Sequence, residues 1–204
     1  MGKQMTIKDA KKDFILDASL KLFFERSVSD VTMHDIAAHA GVGEATVYRY
    51  FSTKHNLVCA AATKLEKQIF DAYFDFGAAK SGMEKLELFY GTYLKIFCTH
   101  REFYKFINEF DAFLLSEGAA TGEYESGLDL FKTVCFDAYD QGVADGSIKK
   151  IDDWKTFYYA TTHALLELCK KLSTADIVRQ DTASDKEKEI STLTEIILSA
   201  LKNK

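Results

Sequence analysis

The sequence predicts an all-α protein, with short helices at its start and a larger helical domain after them. Three observations lead there. The 204 residues contain no proline, where average usage of about 5% would place roughly ten. Proline is at home in turns, edge strands and linkers, so its absence argues against a loop-rich β-sandwich and against a proline-rich tail. Apolar residues recur at spacings of three and four along most of the chain, the period of a helix with one buried face. The breaks between those runs are made of Gly, Ser, Thr and Asp, which cap helices and turn chains.

Composition bounds the class further. At 47% hydrophobic and 28% charged residues, the chain is an ordinary globular one. No apolar run approaches the ~18 residues of a membrane span. Residues 1–12 hold four lysines and no apolar stretch, which does not read as a secretory signal. Cys59, Cys98, Cys135 and Cys169 stand far apart, with no CxxC and no nearby histidine pair. That spacing excludes the usual zinc sites and offers no disulfide framework. The expectation is a cytoplasmic protein with reduced thiols, no metal and no cofactor. The net charge of −5 is unevenly spread: residues 1–58 carry eight Lys and Arg against seven Asp and Glu, the remainder 18 against 24. A near-neutral head on an acidic body suits a nucleic-acid-reading end on a soluble support.

The elements follow in order. Ile15, Ala18, Leu22 and Phe23 define a helix from about Ile7 to Arg26. Thr32, with Asp35 three residues on, resembles a capping box for a short helix that buries Ile36, Ala37 and Ala40 and stops at Gly41. A third helix begins near Glu44, turns Val47 inward and reaches Phe51. Thr53 is placed to cap a long fourth helix with the stripe Leu57, Ala61, Leu65, Ile69, Ala72 and Phe76, and Gly77 to Gly82 reads as its end. Further helices are expected over Met83–Thr99, Glu102–Leu115, Glu123–Val143, Trp154–Leu172 (with Asp152 as a cap) and Glu187–Leu201. Glycines 118, 122 and 127 mark a loop, and a polar stretch runs from Ser173 to Asp185. The domains divide as 1–54 and 55–204.

Two short helices joined by a glycine turn, packed on a third, form a helix-turn-helix. In that motif the first helix crosses the phosphate backbone and the second enters the major groove. Small Ala37 and Ala40 let the helices cross closely, and Ile36, Val42 and Val47 fill the angle between them.

The run Thr32-Met-His-Asp-Ile-Ala-Ala-His-Ala-Gly-Val-Gly-Glu-Ala-Thr-Val-Tyr-Arg-Tyr-Phe-Ser-Thr-Lys-His-Asn-Leu57 resembles the DNA-binding domain of the tetracycline-repressor (TetR) family. The likeness covers about residues 10–60, roughly a quarter of the chain, and beyond it only length and helical content agree. It implies a dimeric transcriptional regulator, most simply a repressor, on a palindromic operator of double-stranded DNA. By position, Thr32 and Met33 would start the helix that lies on phosphate, and Gly43 would cap the reading helix. Glu44, Ala45, Thr46 and Arg49 would face base edges, Tyr48 and Tyr50 would reach phosphates through their hydroxyls, and Lys54 would add a phosphate contact. The family usually has Gly where Ser27 stands, often Ser at Gly43 and often Gly at Ala45. Glu44 is unwelcome beside phosphate unless it accepts from a cytosine amine or turns away. Read from the residues alone, the two tyrosines also fit as core rings and Arg49 as a surface residue.

The resemblance further implies a small-molecule effector that binds the second domain and shifts the long fourth helix, changing the separation of two recognition helices that must match half-sites about 34–36 Å apart. Phe89, Tyr93, Phe97, Phe106, Phe110, Phe131 and Tyr139 are candidate lining for a hydrophobic, aromatic or cationic effector, although rings at helical spacing serve equally as core. Glu109 and Asp111 lie among these rings as candidate cation receivers. Tyr158, Thr162, Leu165, Leu166 and Cys169, with Leu193, Ile197 and Leu201, are candidate faces for a four-helix homodimer contact; the same faces can cover their own core. The competing class is a helical small-molecule-binding protein or an enzyme. No GxSxG, P-loop, HExxH or paired-carboxylate constellation supports an enzyme, and His100 and His163 lack an evident catalytic partner.

Overall fold

The computed structural model describes residues 6–117, 123–174 and 185–203. Among them the helices are α1 Ile7–Glu25, α2 Met33–His39, α3 Glu44–Phe51, α4 Lys54–Tyr73, α5 Gly82–Thr99, α6 Arg101–Glu117, α7 Glu123–Ala144, α8 Trp154–Ser173 and α9 Lys186–Leu201. The protein is all-α, as the missing prolines and the periodicity require. The expected loop glycines 118 and 122, most of the polar stretch before α9 (175–184) and the first five residues lie outside the described residues.

Side-chain caps decide where the helices begin. Thr6 and Asp9 close a full capping box on α1, with the Thr6 hydroxyl accepting from the Asp9 amide at 3.1 Å. Thr53 accepts from the Asn56 amide at 3.1 Å at the start of α4, as expected of it. The cap of α8 is Asp153, whose carboxylate accepts from the Thr156 amide at 3.0 Å, and not Asp152. A cap must precede the first helical residue, and Trp154 is that residue. α4 ends at Tyr73, so Phe76 lies beyond the helix to which its spacing assigned it.

The chain forms two compact units. The first comprises residues 1–68 and 106–127, the second 69–105 and 128–204. In the first, Ile15, Val28, Val31, Ile36, Val47, Leu57, Val58, Ala61 and Ala62 are fully buried or nearly so. Phe23 stacks on Phe106 at 5.9 Å between ring centroids, and Phe106 on Phe110 at 6.1 Å. Lys64 of α4 joins α1 by ion pairs to Asp13 at 2.7 Å and Asp17 at 2.6 Å. In the second unit, α9 packs against α5 and α8. Its core gathers Leu86, Phe89, Tyr90, Phe97, Cys135, Leu165, Cys169, Ile190 and Leu201. Buried phenols find partners there: Tyr104 donates to the Tyr93 carbonyl at 3.0 Å, and Tyr139 to the Ile151 carbonyl at 3.1 Å.

Candidate nucleic-acid interface

The helix-turn-helix is built by its caps and its turn. Thr32 and Asp35 form a full capping box: the Asp35 carboxylate accepts from the Thr32 amide and hydroxyl, both at 2.8 Å, and the Thr32 hydroxyl accepts from the Asp35 amide. The Thr32 amide, then its hydroxyl, holds the Asp35 carboxyl below the usual carboxylate range, and Arg26 at 3.5 Å adds to this. Gly41 takes φ +62°, the left-handed conformation that ends α2 and that side chains disfavour. The Val42 amide then returns to the Ala37 carbonyl at 3.0 Å. Ile36, Ala37 and Val47 are buried between the two helices. α3 therefore turns Val47 and Phe51 inward and leaves Glu44, Ala45, Tyr48 and Arg49 to solvent.

The candidate DNA-contact residues take several environments. Gly43 caps α3 without a side-chain hydrogen bond. Tyr48 is 46% exposed, whereas Thr46 and Tyr50 are half-buried. The Arg49 guanidinium lies 5.5 Å from the centre of the Tyr50 ring, which braces it on the same exposed end of α3. Glu44 turns toward α2, where its carboxylate meets His34 Nδ1 at 3.3 Å. Met33 is 5% exposed and faces the core, so its backbone amide is what it presents at the start of α2. Lys54 donates to the Ser29 carbonyl at 2.8 Å and lies 5.6 Å from the Phe113 ring centre; burial pulls its ammonium below the usual lysine value. It ties the turn before α2 to the start of α4.

Lys12 belongs beside these residues and was not among the sequence candidates. Its ammonium lies 5.9 Å from the ring centre of Phe51, the last residue of α3, and the residue is exposed. The signal was present as the lysine cluster of residues 1–12. Nothing in the sequence said that α1 would carry one of those lysines alongside the end of α3.

The effector candidates fall in different places. Phe106 and Phe110 are buried in the first unit, where Phe110 meets Tyr124 edge-on at 4.9 Å. Phe89, Tyr93, Phe97, Phe131 and Tyr139 belong to the second. There Phe131 meets Phe74 edge-on at 4.7 Å, and Tyr139 stacks on Trp154 at 3.8 Å. Glu109 accepts a hydrogen bond from the Ser27 hydroxyl at 2.6 Å. Among the dimer candidates, Tyr158, Thr162, Leu165, Cys169, Ile197 and Leu201 are buried in the core of their own unit, and Leu166 and Leu193 are half-buried. The outward face of the same helices holds an open groove of about 490 Å³, lined by Leu168, Leu193, Ile196 and Thr192 among the charged Asp185, Lys188 and Glu189.

Comparison with known proteins agrees with this geometry. Residues 15–61 match the family described as bacterial regulatory proteins, tetR family. An uncharacterized HTH-type transcriptional regulator of Mycobacterium tuberculosis is 44% identical over 45 residues, 22% of this chain and 22% of that protein. The chain thus spans about a fifth of the length of the curated relatives it matches. Two solved structures share the fold of nearly the whole chain. A TetR family transcription regulator from Marinobacter aquaeolei VT8 is 23% identical, with a TM-score of 0.63, over 96% of this chain and 97% of its own. A protein from Saccharomonospora viridis solved in complex with choline is 16% identical, with a TM-score of 0.77, over 95% and 98%. Residues 15–61 therefore carry a helix-turn-helix of the kind found in the tetR family of bacterial regulatory proteins, and the chain as a whole shares the fold of those solved structures.

Proposed function

We propose that the protein is a ligand-responsive transcriptional repressor that binds a palindromic DNA operator as a homodimer and releases it when a small hydrophobic effector binds. The observation that carries this reading is the short α3 helix. It is anchored by Val47 and Phe51, with Ala45, Tyr48 and Arg49 left exposed for a groove. A major groove about 12 Å wide admits such a helix, and Lys12 and the amides at the start of α2 supply the phosphate contacts around it.

Release requires a path from effector to DNA-reading helix, and contacts within unit 1 support α6 in that role. α6 touches the head through Ser27 to Glu109, Phe23 and Phe24 on Phe106, and Lys54 beside Phe113, and it meets the start of α4 where His55 stacks on Phe113 at 6.1 Å. An effector that favours a displaced α6 shifts the equilibrium away from the DNA-binding form. That a protein of this fold holds choline supports a ligand-binding role for the helical body.

For the dimer, the outward face of α8 and α9 fits better than the candidates buried in their own core. It presents Tyr159 and Ile196, with the small residues Ala160, Ala164 and Ala200 between which partner helices can approach closely.

Selection of bound duplexes from a random DNA pool tests the whole reading. The expected result is a palindrome with half-sites about one helical turn apart or a multiple of it, bound with an affinity that falls steeply with salt. Recovery of no enriched sequence, together with salt-independent binding, sinks the proposal.

A further inference from the structure

One carboxyl group in the first unit has no partner among the described residues. Glu66 of α4 is 4% exposed, and neither of its carboxylate oxygens has a hydrogen-bond partner. Burial is the influence acting on it, with no basic side chain opposing, and pushes its pKa up to about 8. A buried carboxyl left unsatisfied is costly, so buried polar groups are seldom found in that state.

The surroundings are specific. A Cβ at Gly127 of α7 would overlap the Glu66 carboxylate, so the glycine provides the space that this group occupies. Tyr124, one turn earlier on α7, feels the Glu66 charge, and its phenol is pushed up by burial and then by Glu66 and Asp111. Phe110 of α6 packs edge-on against the Tyr124 ring. The groups bearing on this region from α6 and α7 are therefore a second carboxylate and a phenol. An anion is repelled here. A metal ion is also a poor occupant, because among the described residues no three His, Cys, Asp or Glu side chains converge. The chemistry complementary to these groups is an organic cation, whose head pairs with a carboxylate and whose polarised N–CH groups lie on ring faces.

We propose that Glu66 anchors a binding site in the first unit for an organic ammonium ion, an amine or quaternary ammonium compound, held by its carboxylate and by the rings of Tyr124 and Phe110. This deepens the regulator reading by naming the chemical class of the effector, and it rests on that reading only for the consequence at DNA. Occupation sets a carboxylate–cation pair between α4, α6 and the start of α7. α6 and α4 are the helices that touch the head through Glu109, Phe106 and Lys64.

The site has a proton signature. Empty, it holds the Glu66 proton at pH 7; filled, it must ionise. Cation binding at pH 7 therefore releases about 0.9 proton, given titration at about 8. Affinity rises about tenfold from pH 6 to 7 and levels off above about pH 9.

Calorimetry on the full chain tests this with benzyltrimethylammonium as the probe and benzyl alcohol as its neutral counterpart, in buffers of different ionisation enthalpy. The expected result is saturable binding of the cation with proton release, at least tenfold weaker binding of benzyl alcohol, and at least tenfold weaker binding of the cation to Glu66→Gln. Glu66→Gln is isosteric and is checked for folding by circular dichroism. If it does not fold, proton release in the unaltered protein decides the matter. No saturable binding up to about 10 mM, binding without proton release, or equal affinity in folded Glu66→Gln overturns the proposal. Operator binding is measured in the same samples. Its absence without any cation overturns the regulator reading and leaves the site standing; cation binding that leaves operator affinity unchanged removes only the link between the two.

Discussion

The Ser27 hydroxyl donates a 2.6 Å hydrogen bond to the Glu109 carboxylate, fastening the turn between α1 and α2 to the middle of α6. A glycine at this position could not form the bond, because the hydroxyl is the donor. Ser27→Ala removes a charge-assisted bond worth about 1–2 kcal/mol in a partly buried setting. The expected loss in Tm is about 2–8 °C at this chain length. A thermal melt checks the stability. Operator binding with and without effector checks the latch: if it transmits the signal, the effector weakens binding less in Ser27→Ala than in the unaltered protein.

Arg49 and Lys54 are predicted to behave differently at DNA. Arg49 is exposed on α3, and Arg49→Ala should cost about 1–3 kcal/mol in operator affinity and relax preference at one base position. Lys54 spends its ammonium on the Ser29 carbonyl. Lys54→Met should lower stability and leave the salt slope of binding nearly unchanged, whereas Lys12→Ala should reduce that slope by about one. Salt titrations of the three variants by fluorescence anisotropy separate these outcomes, and a unit drop in slope for Lys54→Met contradicts the assignment.

Two neighbouring turn residues make opposite predictions. Ser52 sits at φ 61° after α3, a conformation costing a side chain about 1 kcal/mol. Ser52→Gly should therefore raise stability by up to about that amount, offset in part by unfolded-state entropy. Gly41 holds φ +62°, and Gly41→Ala should lower stability by about 1–2 kcal/mol although its Cβ would meet open space. Urea denaturation of both measures the pair.

The Glu66 carboxyl imposes a pH dependence on stability. Its folded pKa of about 8 lies above the unfolded value of about 4.3. The folded chain keeps a proton that the unfolded chain gives up between those values, so this group makes stability fall as pH rises from about 5 to about 8. The span corresponds to a few kcal/mol at most. Glu66→Gln should flatten the profile and be the more stable protein at pH 8. Equal slopes for the two proteins over pH 5–8 would contradict this.

Ile196 is 60% exposed beside the α8–α9 groove, whereas Leu165 is fully buried. Ile196→Glu is expected to yield a folded monomer, and Leu165→Glu an unfolded chain, because it places an unpaired charge in the core. Sedimentation and circular dichroism distinguish the two. A dimeric Ile196→Glu protein would move the contact elsewhere.

Much of the fold was legible because the signals are local. The Thr32–Asp35 box, Gly41 after α2 and the inward stripe of Ile36, Ala37 and Val47 lie within sixteen residues and act through backbone geometry and one helical period. The outward residues of α3 followed as the complement of that stripe. The dimer faces were harder, because a buried stripe is equally good at covering its own core. Tyr158, Leu165 and Cys169 do so here, while Ile196 on the outer side does not. Glu66 was passed over in a run of charged residues. Its spacing from Ala62 and Ile69 on the buried face of α4 was the available signal.

Residues within a few turns of one another suffice to fix the helices, the caps at Thr32, Gly43 and Thr53, and the exposed end of α3, whereas the caps at Thr6, Ser81, Asp153 and Asp185 emerged only with the helix starts. Only the packing of distant helices brings Ser27 to Glu109, 82 residues away in the chain, sets Lys12 beside the end of α3, and leaves Glu66 without a partner among the described residues. Those facts depend on which helices come together and which polar groups the packing happens to satisfy. No periodicity within one helix contains that information.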